Sequence, residues 1–140
     1  MRRSVFVAVA LVIASALTLV AGCVSTETGT PASGTLRVDA NANGTTVQLA
    51  LGAELVVALE ANPTTGFDWK VTESLPPQLM AKDDVFESSA TAGVVGAGGA
   101  HVFTYTAAAP GTGELDLEYV RSWEKGVPPE RTFTLTVVVK

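Results

Sequence analysis

Alternation of apolar and polar residues with a period of two is the feature that most restricts what this chain can fold into. It is clearest in residues 131–140 (RTFTLTVVVK), where threonines face one way and the apolar side chains face the other: Phe133, Leu135, Val137 and Val139. Since successive side chains of a strand point to opposite faces, this period predicts a strand with one buried face. No segment after residue 23 keeps a helical period. The sequence therefore predicts an all-β fold.

Further strand candidates follow one another at short intervals, with Gly, Pro, Asn or Asp at the breaks. They are residues 35–40, 45–51, 54–60, 67–73, 101–106 and 113–121, with a weaker candidate at 81–88. Seven to eight short strands in about 105 residues predict one domain, an immunoglobulin-like antiparallel β-sandwich, with a barrel as the alternative. The loops of a sandwich cluster at its two ends, so segments that are distant in sequence can form one surface.

The first 23 residues have a different character from the rest of the chain. Arg2 and Arg3 give a positive start, residues 5–20 are apolar, and small residues precede Cys23. This order is typical of a signal peptide for export. Residues 20–23 (VAGC) resemble a bacterial lipobox, which implies cleavage after residue 22 and a membrane anchor outside the cytoplasm through a lipid on Cys23. The alternative is an uncleaved membrane helix, since residues 4–22 nearly span a hydrocarbon core of about 30 Å.

Cysteine content and charge narrow the chemistry of the exported part. Cys23 is the one cysteine of the chain, so a lipidated protein has neither a disulfide nor a free thiol. Residues 24–34 (VSTETGTPASG) predict a flexible linker, followed by a domain over residues 35–140. The formal net charge is −5, and −7 once Arg2 and Arg3 leave with the signal peptide. Because phosphate binding needs basic surface, we expect no nucleic-acid partner.

Residues that could support catalysis are scarce. An enzyme needs a nucleophile, an acid–base pair or a metal site, and this chain has one histidine, His101, with no cluster of His and Cys. We interpret His101 as a structural or edge residue, and the acidic pairs Asp83–Asp84 and Asp116/Glu118 as solvated faces. The sequence predicts a monomer without catalytic residues, metal or cofactor.

Three connections between strand candidates stand out. Residues 62–67 (NPTTGF) combine an Asn cap, a Pro with fixed φ and a Gly that tolerates positive φ, which predicts a stiff turn. Residues 93–99 (GVVGAGG) lack the helix and lysine of a phosphate loop, which favours a flexible loop or close backbone approach. Residues 121–130 begin with Arg, Ser and Trp. Trp and Arg are frequent interface anchors, although Trp123 could instead fold over the edge of the core.

Together these segments resemble the motifs of chagasin-type inhibitors of papain-like cysteine proteases, which are immunoglobulin-like sandwiches. The family pattern is NPTTG followed by Phe or Tyr, then GxGG, then Arg-Pro-Trp or Arg-Pro-Phe. The counterparts here are Asn62, Pro63, Thr64, Thr65, Gly66 and Phe67; Gly96, Ala97, Gly98 and Gly99; and Arg121, Ser122 and Trp123. Ser122 stands where the family usually has proline, which implies a less rigid third loop. The likeness extends from about Leu36 to Lys140.

The resemblance implies reversible, non-covalent inhibition by a wedge of three loops. The first loop would enter the protease cleft with Thr64 and Thr65 near the catalytic pair, while the other two would grip its rims. Trp123 and Arg121 would be rim anchors. Trp69 is expected in the core, and the position of Phe67 is left open. The alternative is a non-inhibitory binding or structural lipoprotein of the cell envelope that uses the same sandwich.

Overall fold

A computed structural model of the chain describes residues 30–89 and 97–140. The predicted signal peptide, Cys23, Gly96 and most of the predicted linker lie outside the described residues. Nearly all of the regular secondary structure in the described residues is β-strand, which confirms the predicted all-β fold class. Its strands are β1 (Thr35–Val38), β2 (Thr45–Leu49), β3 (Glu54–Ala61), β4 (Phe67–Val71), β5 (Leu79–Ser88), β6 (Gly99–Ala107), β7 (Gly111–Arg121) and β8 (Arg131–Val139). Two single 3-10 turns, Ala40–Ala42 and Pro63–Thr65, supply the helical residues of this part.

The strands form two sheets of four, in the orders β1-β3-β6-β5 and β2-β8-β7-β4. This confirms the predicted two-sheet sandwich. Four of the six pairings are antiparallel, whereas β1 pairs with β3 and β2 pairs with β8 in parallel. Both of these short strands are edge strands: β1 lies at the end of one sheet and β2 at the end of the other. The alternating pattern of a strand does not specify the direction of its neighbour.

The core lies between the sheets and consists of the alternating residues of their inner faces. Its largest fully buried side chains are Phe133, Leu49, Leu55, Leu59, Leu115, Leu117, Leu135, Val57 and Val137. Removing such surface from water contributes about 25 cal/mol per Å² and is the main driving force for folding. Trp69 is buried, as predicted, and its indole N–H donates to the carbonyl of Glu60 at 3.0 Å.

The position of β5 in its sheet explains why its alternating pattern is the weakest among the strand candidates. It is the outer strand of its sheet, and every residue after Leu79 is exposed. A shift in register lies between Ala81 and Asp83, where Lys82 is the extra residue. Bulges and charged side chains are common on edge strands because they discourage pairing with other chains. With both faces reached by water, β5 has no need for a regular apolar face.

The described end of the predicted linker is attached to the sandwich. The N–H of Ala32 donates to the carbonyl of Gln48, and the carbonyl of Ala32 accepts the N–H of Ala50, both at 2.9 Å. These bonds create an isolated parallel bridge between Ala32 and Leu49 beside β2. Over residues 30–89 and 97–140, no helix has the length and apolar character needed to cross a membrane.

Candidate functional site

The first predicted loop is a closed 3-10 turn whose polar groups bond to one another. The side-chain oxygen of Asn62 accepts the N–H of Thr64 at 3.2 Å and the Thr64 hydroxyl at 2.5 Å. The carbonyl of Asn62 accepts the N–H of Thr65 at 3.1 Å and the Thr65 hydroxyl at 2.7 Å. Gly66 ends the turn at a φ of 81°, with its N–H donating to the carbonyl of Pro63 at 2.9 Å. The stiff turn predicted from the sequence is therefore present.

These bonds define what the loop can offer to a partner. Thr64 and Thr65 are exposed, but their hydroxyl hydrogens and amides are already bonded within the loop. A hydroxyl oxygen keeps lone pairs after it has donated its hydrogen. The tip of the loop therefore presents hydrogen-bond acceptors and methyl groups in a fixed arrangement.

Aromatic side chains of the sandwich support this loop from below. The N–H of Asn62 donates to the buried Tyr119 hydroxyl at 2.9 Å. Phe67 stacks on the Tyr119 ring with centroids 5.3 Å apart, and Trp69 approaches the same ring at 5.1 Å. Phe67, whose position the sequence left open, is thus half-buried at the base of the loop. Both ends of the turn rest on one ring of β7.

Arg121 connects the third predicted loop to the first. Its Nε–H donates to the carbonyl of Thr65 at 3.2 Å, and its guanidinium carbon lies 4.2 Å from the centre of the Phe67 ring. A second nitrogen, Nη1, pairs with Glu124 at 3.2 Å. Since a guanidinium carries five N–H groups, others are available to a partner. In the free chain Arg121 therefore holds the first loop in addition to any role as a rim anchor.

Trp123 is directed away from the core. Its side chain is 65% exposed, which excludes the alternative that it folds over the core edge. The six-membered part of its ring lies against Gly66, where an added Cβ would collide with it. Ser122 lies in a turn closed by the N–H of Glu124 and the carbonyl of Arg121 at 3.1 Å. Proline is favoured at the second position of such turns, so serine keeps the turn but gives up that restriction on φ.

The second predicted segment is described over Ala97, Gly98 and Gly99. Gly99 pairs with Ala61 on one side and Ser88 on the other, so this segment enters the sheet between β3 and β5. A Cβ on Gly99 would collide with the carbonyl of Glu87. A side chain is disfavoured here because the backbone of β5 and the ring of Phe86 lie where its Cβ would be.

The described parts of the three segments meet at one end of the sandwich, with the first loop in the middle. On one side, Ala61 leads directly into it and pairs with Gly99. On the other side, Thr65 and Gly66 contact Arg121 and Trp123.

The described residues of the first and third loops enclose little space between them. The cavity beside Phe67 and Arg121 holds about 50 Å³, whereas small-molecule sites usually need about 300 Å³ or more. A larger cleft of about 570 Å³ lies elsewhere, between β4 and β5, and is floored by Trp69, Phe103 and Tyr105. The space between the first and third loops is therefore too small for a typical small-molecule ligand.

Comparison with known proteins identifies the family. Residues 48–137, from within β2 to within β8, match the model of the chagasin family of peptidase inhibitors, I42. The chain belongs to this family. Its members are inhibitors and not enzymes, in agreement with the sequence-based expectation.

Named relatives and solved structures agree with this assignment. The chain is 35% identical to Amoebiasin-1 of Entamoeba histolytica over 98 residues, which cover 70% of this chain and 93% of the relative. It is 32% identical to Chagasin of Trypanosoma cruzi over 96 residues, covering 66% and 87%. The solution structure of Amebosin superposes with a TM-score of 0.63 at 30% identity, covering 78% of this chain and all of that one.

A second solved structure supports the fold alone. It is the crystal structure of a cysteine protease inhibitor from Entamoeba histolytica, with a TM-score of 0.65 at 22% identity, covering 76% of this chain and 96% of that one.

One polar cluster of this family member was missed by sequence analysis. His101 is 7% exposed and lies between two carboxylates, Asp68 on β4 and Asp84 on β5. Alternation with Phe103 and Tyr105 along β6 places His101 on the inner face, and that signal was readable. Its partners lie 33 and 17 residues away on other strands, and Asp84 was interpreted only as part of a solvated face.

Proposed function

We propose that the chain is a reversible, non-covalent inhibitor of papain-like cysteine proteases that blocks the active-site cleft with residues 62–67, 93–99 and 121–130. Membership of a peptidase-inhibitor family carries this proposal. The target class is supported by the three loop motifs, which resemble those of inhibitors of papain-like cysteine proteases. Asn62, Pro63, Thr64, Thr65, Gly66 and Phe67 form the central contact; Gly96, Ala97, Gly98 and Gly99 form one flank; Arg121, Ser122 and Trp123 form the other.

The closed first loop accounts for inhibition without cleavage. Cleavage needs an extended strand whose scissile carbonyl oxygen receives the hydrogen-bond donors of the protease, and three carbonyls of this loop already accept internal hydrogen bonds. The Asn62 carbonyl accepts from Thr65, the Pro63 carbonyl from Gly66, and the Thr65 carbonyl from Arg121. Any of these oxygens must give up its internal bond before it can take the place of a substrate carbonyl among the donors of the protease. The loop fills the cleft as a folded turn instead of as an extended substrate.

Preorganisation is the source of affinity in this proposal. Ordering a rotamer-rich side chain on binding costs about 0.5–1.5 kcal/mol, and a loop that is ordered beforehand avoids much of that cost. The internal bonds of residues 62–66 and the support from Tyr119 order the loop in the free chain. Trp123 adds exposed aromatic surface that a protease rim can cover.

We also propose that the inhibitor is an exported lipoprotein, attached through Cys23 to the outer side of the cytoplasmic membrane or within the cell envelope. The order of positive, apolar and small residues before Cys23 supports export, and the lipobox-like residues 20–23 support lipidation. The inhibitor would then act close to the membrane surface.

Papain inhibition by the purified full-length chain, kept in a mild non-ionic detergent, tests the inhibitory function. We expect turnover to fall with increasing inhibitor and to recover on dilution, while mass spectrometry finds the inhibitor uncut. A chain that is folded by circular dichroism yet leaves papain turnover unchanged at saturation would refute the proposal. That result would instead favour a non-inhibitory envelope lipoprotein.

A further inference from the structure

His101 lies on the inner face of β6, close to the loop end of the sandwich. The residue is 7% exposed, and its ring stacks on Phe103 with centroids 4.3 Å apart and planes at 11°. Burying a polar ring costs free energy unless its nitrogens are hydrogen-bonded. The bonding of these two nitrogens therefore determines the state of the residue.

Both ring nitrogens face carboxylates from other strands. Nδ1 lies 2.6 Å from a side-chain oxygen of Asp68, and Nε2 makes a still closer contact with Asp84. An ionised carboxylate can only accept hydrogen bonds, and a neutral imidazole donates from one nitrogen only. Both contacts are favourable together only when both nitrogens carry hydrogen. The geometry thus favours the charged imidazolium.

The other charged groups that the structure describes on the strands around His101 make no ion pair with its ring. They are Glu54 and Glu60 on β3, Lys70 on β4, and Lys82, Asp83 and Glu87 on β5; the other titratable group on β6 is Tyr105. Lys82 pairs with Glu54, and Glu87 pairs with Arg37. Among the described residues, Asp68 and Asp84 make the ion pairs of the ring.

These surroundings shift the proton equilibrium of His101. Burial is the largest single influence and opposes the charge. The hydrogen bonds and charges of Asp84 and Asp68 together outweigh it, so the pKa of His101 lies above its ordinary value of 6.5. The shift agrees with the donor count at the two nitrogens.

The cluster joins the bases of two loops across the two sheets. Asp68 directly follows Phe67, the last residue of the first loop, and belongs to the sheet of β7 and β8. His101 and Asp84 belong to the other sheet, on the two strands that flank the 93–99 segment. A ring bonded to both carboxylates therefore ties the start of β4 to the strands that carry the second loop.

We propose that His101 is a positioning residue for inhibition: its protonated ring clamps the base of the first loop to that of the second, so inhibition is strongest in acid. This inference rests on the proposed inhibitory function. When the ring loses a proton, one nitrogen faces a carboxylate without a hydrogen between them, and that contact opens. The start of β4, which carries the first loop, then loses part of its attachment to β5 and β6.

The direction of the pH dependence follows from the raised pKa. A group that binds its proton more tightly in the folded state contributes stability that is fully present below its unfolded value of about 6.5. This contribution is lost as the pH rises through the folded-state pKa. The clamp is therefore closed in mildly acidic solution and open at alkaline pH.

Papain inhibition measured from about pH 5.5 to about pH 8 tests this proposal on the full-length chain. We expect the inhibition constant of the unmodified chain to rise about threefold to tenfold more over this range than that of His101→Gln, as for a charged hydrogen bond that is partly exposed. Taking the ratio at each pH removes papain's own titration. Asp84→Asn, an exposed position that does not threaten folding, should flatten the profile similarly.

Lys82→Met is the matched control, because it removes a different ion pair from β5 and should keep the slope of the unmodified chain. Equal slopes for the unmodified chain and His101→Gln overturn the positioning role. Failure of the unmodified chain to inhibit at any pH would instead overturn the inhibitory function.

A second measurement examines the clamp without a protease. The chain contains one histidine, so the ring C–H signals of a preparation without a histidine tag report His101 alone in NMR. We expect a titration midpoint above 6.5 that falls when Asp68 and Asp84 are both changed to asparagine. A midpoint that does not respond to these changes contradicts the clamp.

Discussion

Two independent constraints act on Gly66. Its φ of 81° is a conformation that side-chain-bearing residues avoid, and the ring of Trp123 occupies the place where a Cβ would lie. The first constraint concerns the turn, and the second concerns contact between two loops. A substitution at this position therefore tests whether the loops act as one unit.

Replacing Gly66 with alanine should weaken papain inhibition more than it weakens folding. We expect a stability loss of about 1–2 kcal/mol from the strained backbone. We also expect at least about a tenfold loss of affinity, equivalent to ~1.4 kcal/mol, because the turn or the Trp123 ring must move. Thermal unfolding and inhibition constants measure the two effects.

Gly52→Ala is the matched control, since Gly52 has a φ of 83° with nothing near its Cβ position and lies in the turn between β2 and β3, away from the loop end. This variant should lose stability because of the strained backbone, but it should inhibit papain as well as the unmodified chain does. Equal affinity losses for the two variants would show that the contact between Gly66 and Trp123 is not needed for inhibition.

At the scale of the elements, the sequence predicted individual strands better than their neighbours. Strands β7 and β8 were readable because each has one face in the core and one outside, so their side chains alternate. The parallel pairings of β1 with β3 and of β2 with β8 could not be predicted, since the relative direction of two strands depends on contacts between distant segments. Each loop motif is contiguous in the sequence and could be found there. The partners of His101 on β4 and β5 were missed because they are distant from it in sequence.

The third loop offers a test at this scale. Trp123→Ala should weaken papain inhibition by about thirtyfold or more, the usual cost of truncating an interface anchor at ~2 kcal/mol. The melting temperature should change little, because the Trp123 side chain is 65% exposed and outside the core. Inhibition constants and thermal melts on the same preparations provide both values.

Leu51→Ala is a control outside the three loops, with an apolar side chain that is 57% exposed. It should leave inhibition within a few-fold of the unmodified chain. A large loss of stability in Trp123→Ala would show that the ring supports the fold instead of contacting the protease.

For the whole molecule, the length of chain between Cys23 and the sandwich determines how far the loop end can reach from a membrane. Residues 24–31 lie between the proposed lipid attachment site and Ala32, which is bonded alongside β2. Eight residues reach at most about 25–30 Å when fully extended, comparable to the size of the domain itself. A lipid on Cys23 would therefore confine inhibition to proteases close to the membrane surface.

Intact-mass measurement of the chain recovered from bacterial membranes tests this arrangement. We expect a polypeptide of residues 23–140 that is heavier than its sequence by a thioether-linked diacylglycerol, because the lipobox-like residues 20–23 direct both lipidation and cleavage. Cys23→Ala should lack the added lipid mass, whereas Ser25→Ala should retain it. A chain that still begins at Met1 and carries no lipid would identify the apolar segment as an uncleaved membrane helix. The inhibitory end would then still face outward, but the anchor would be the signal-like segment and not the cysteine.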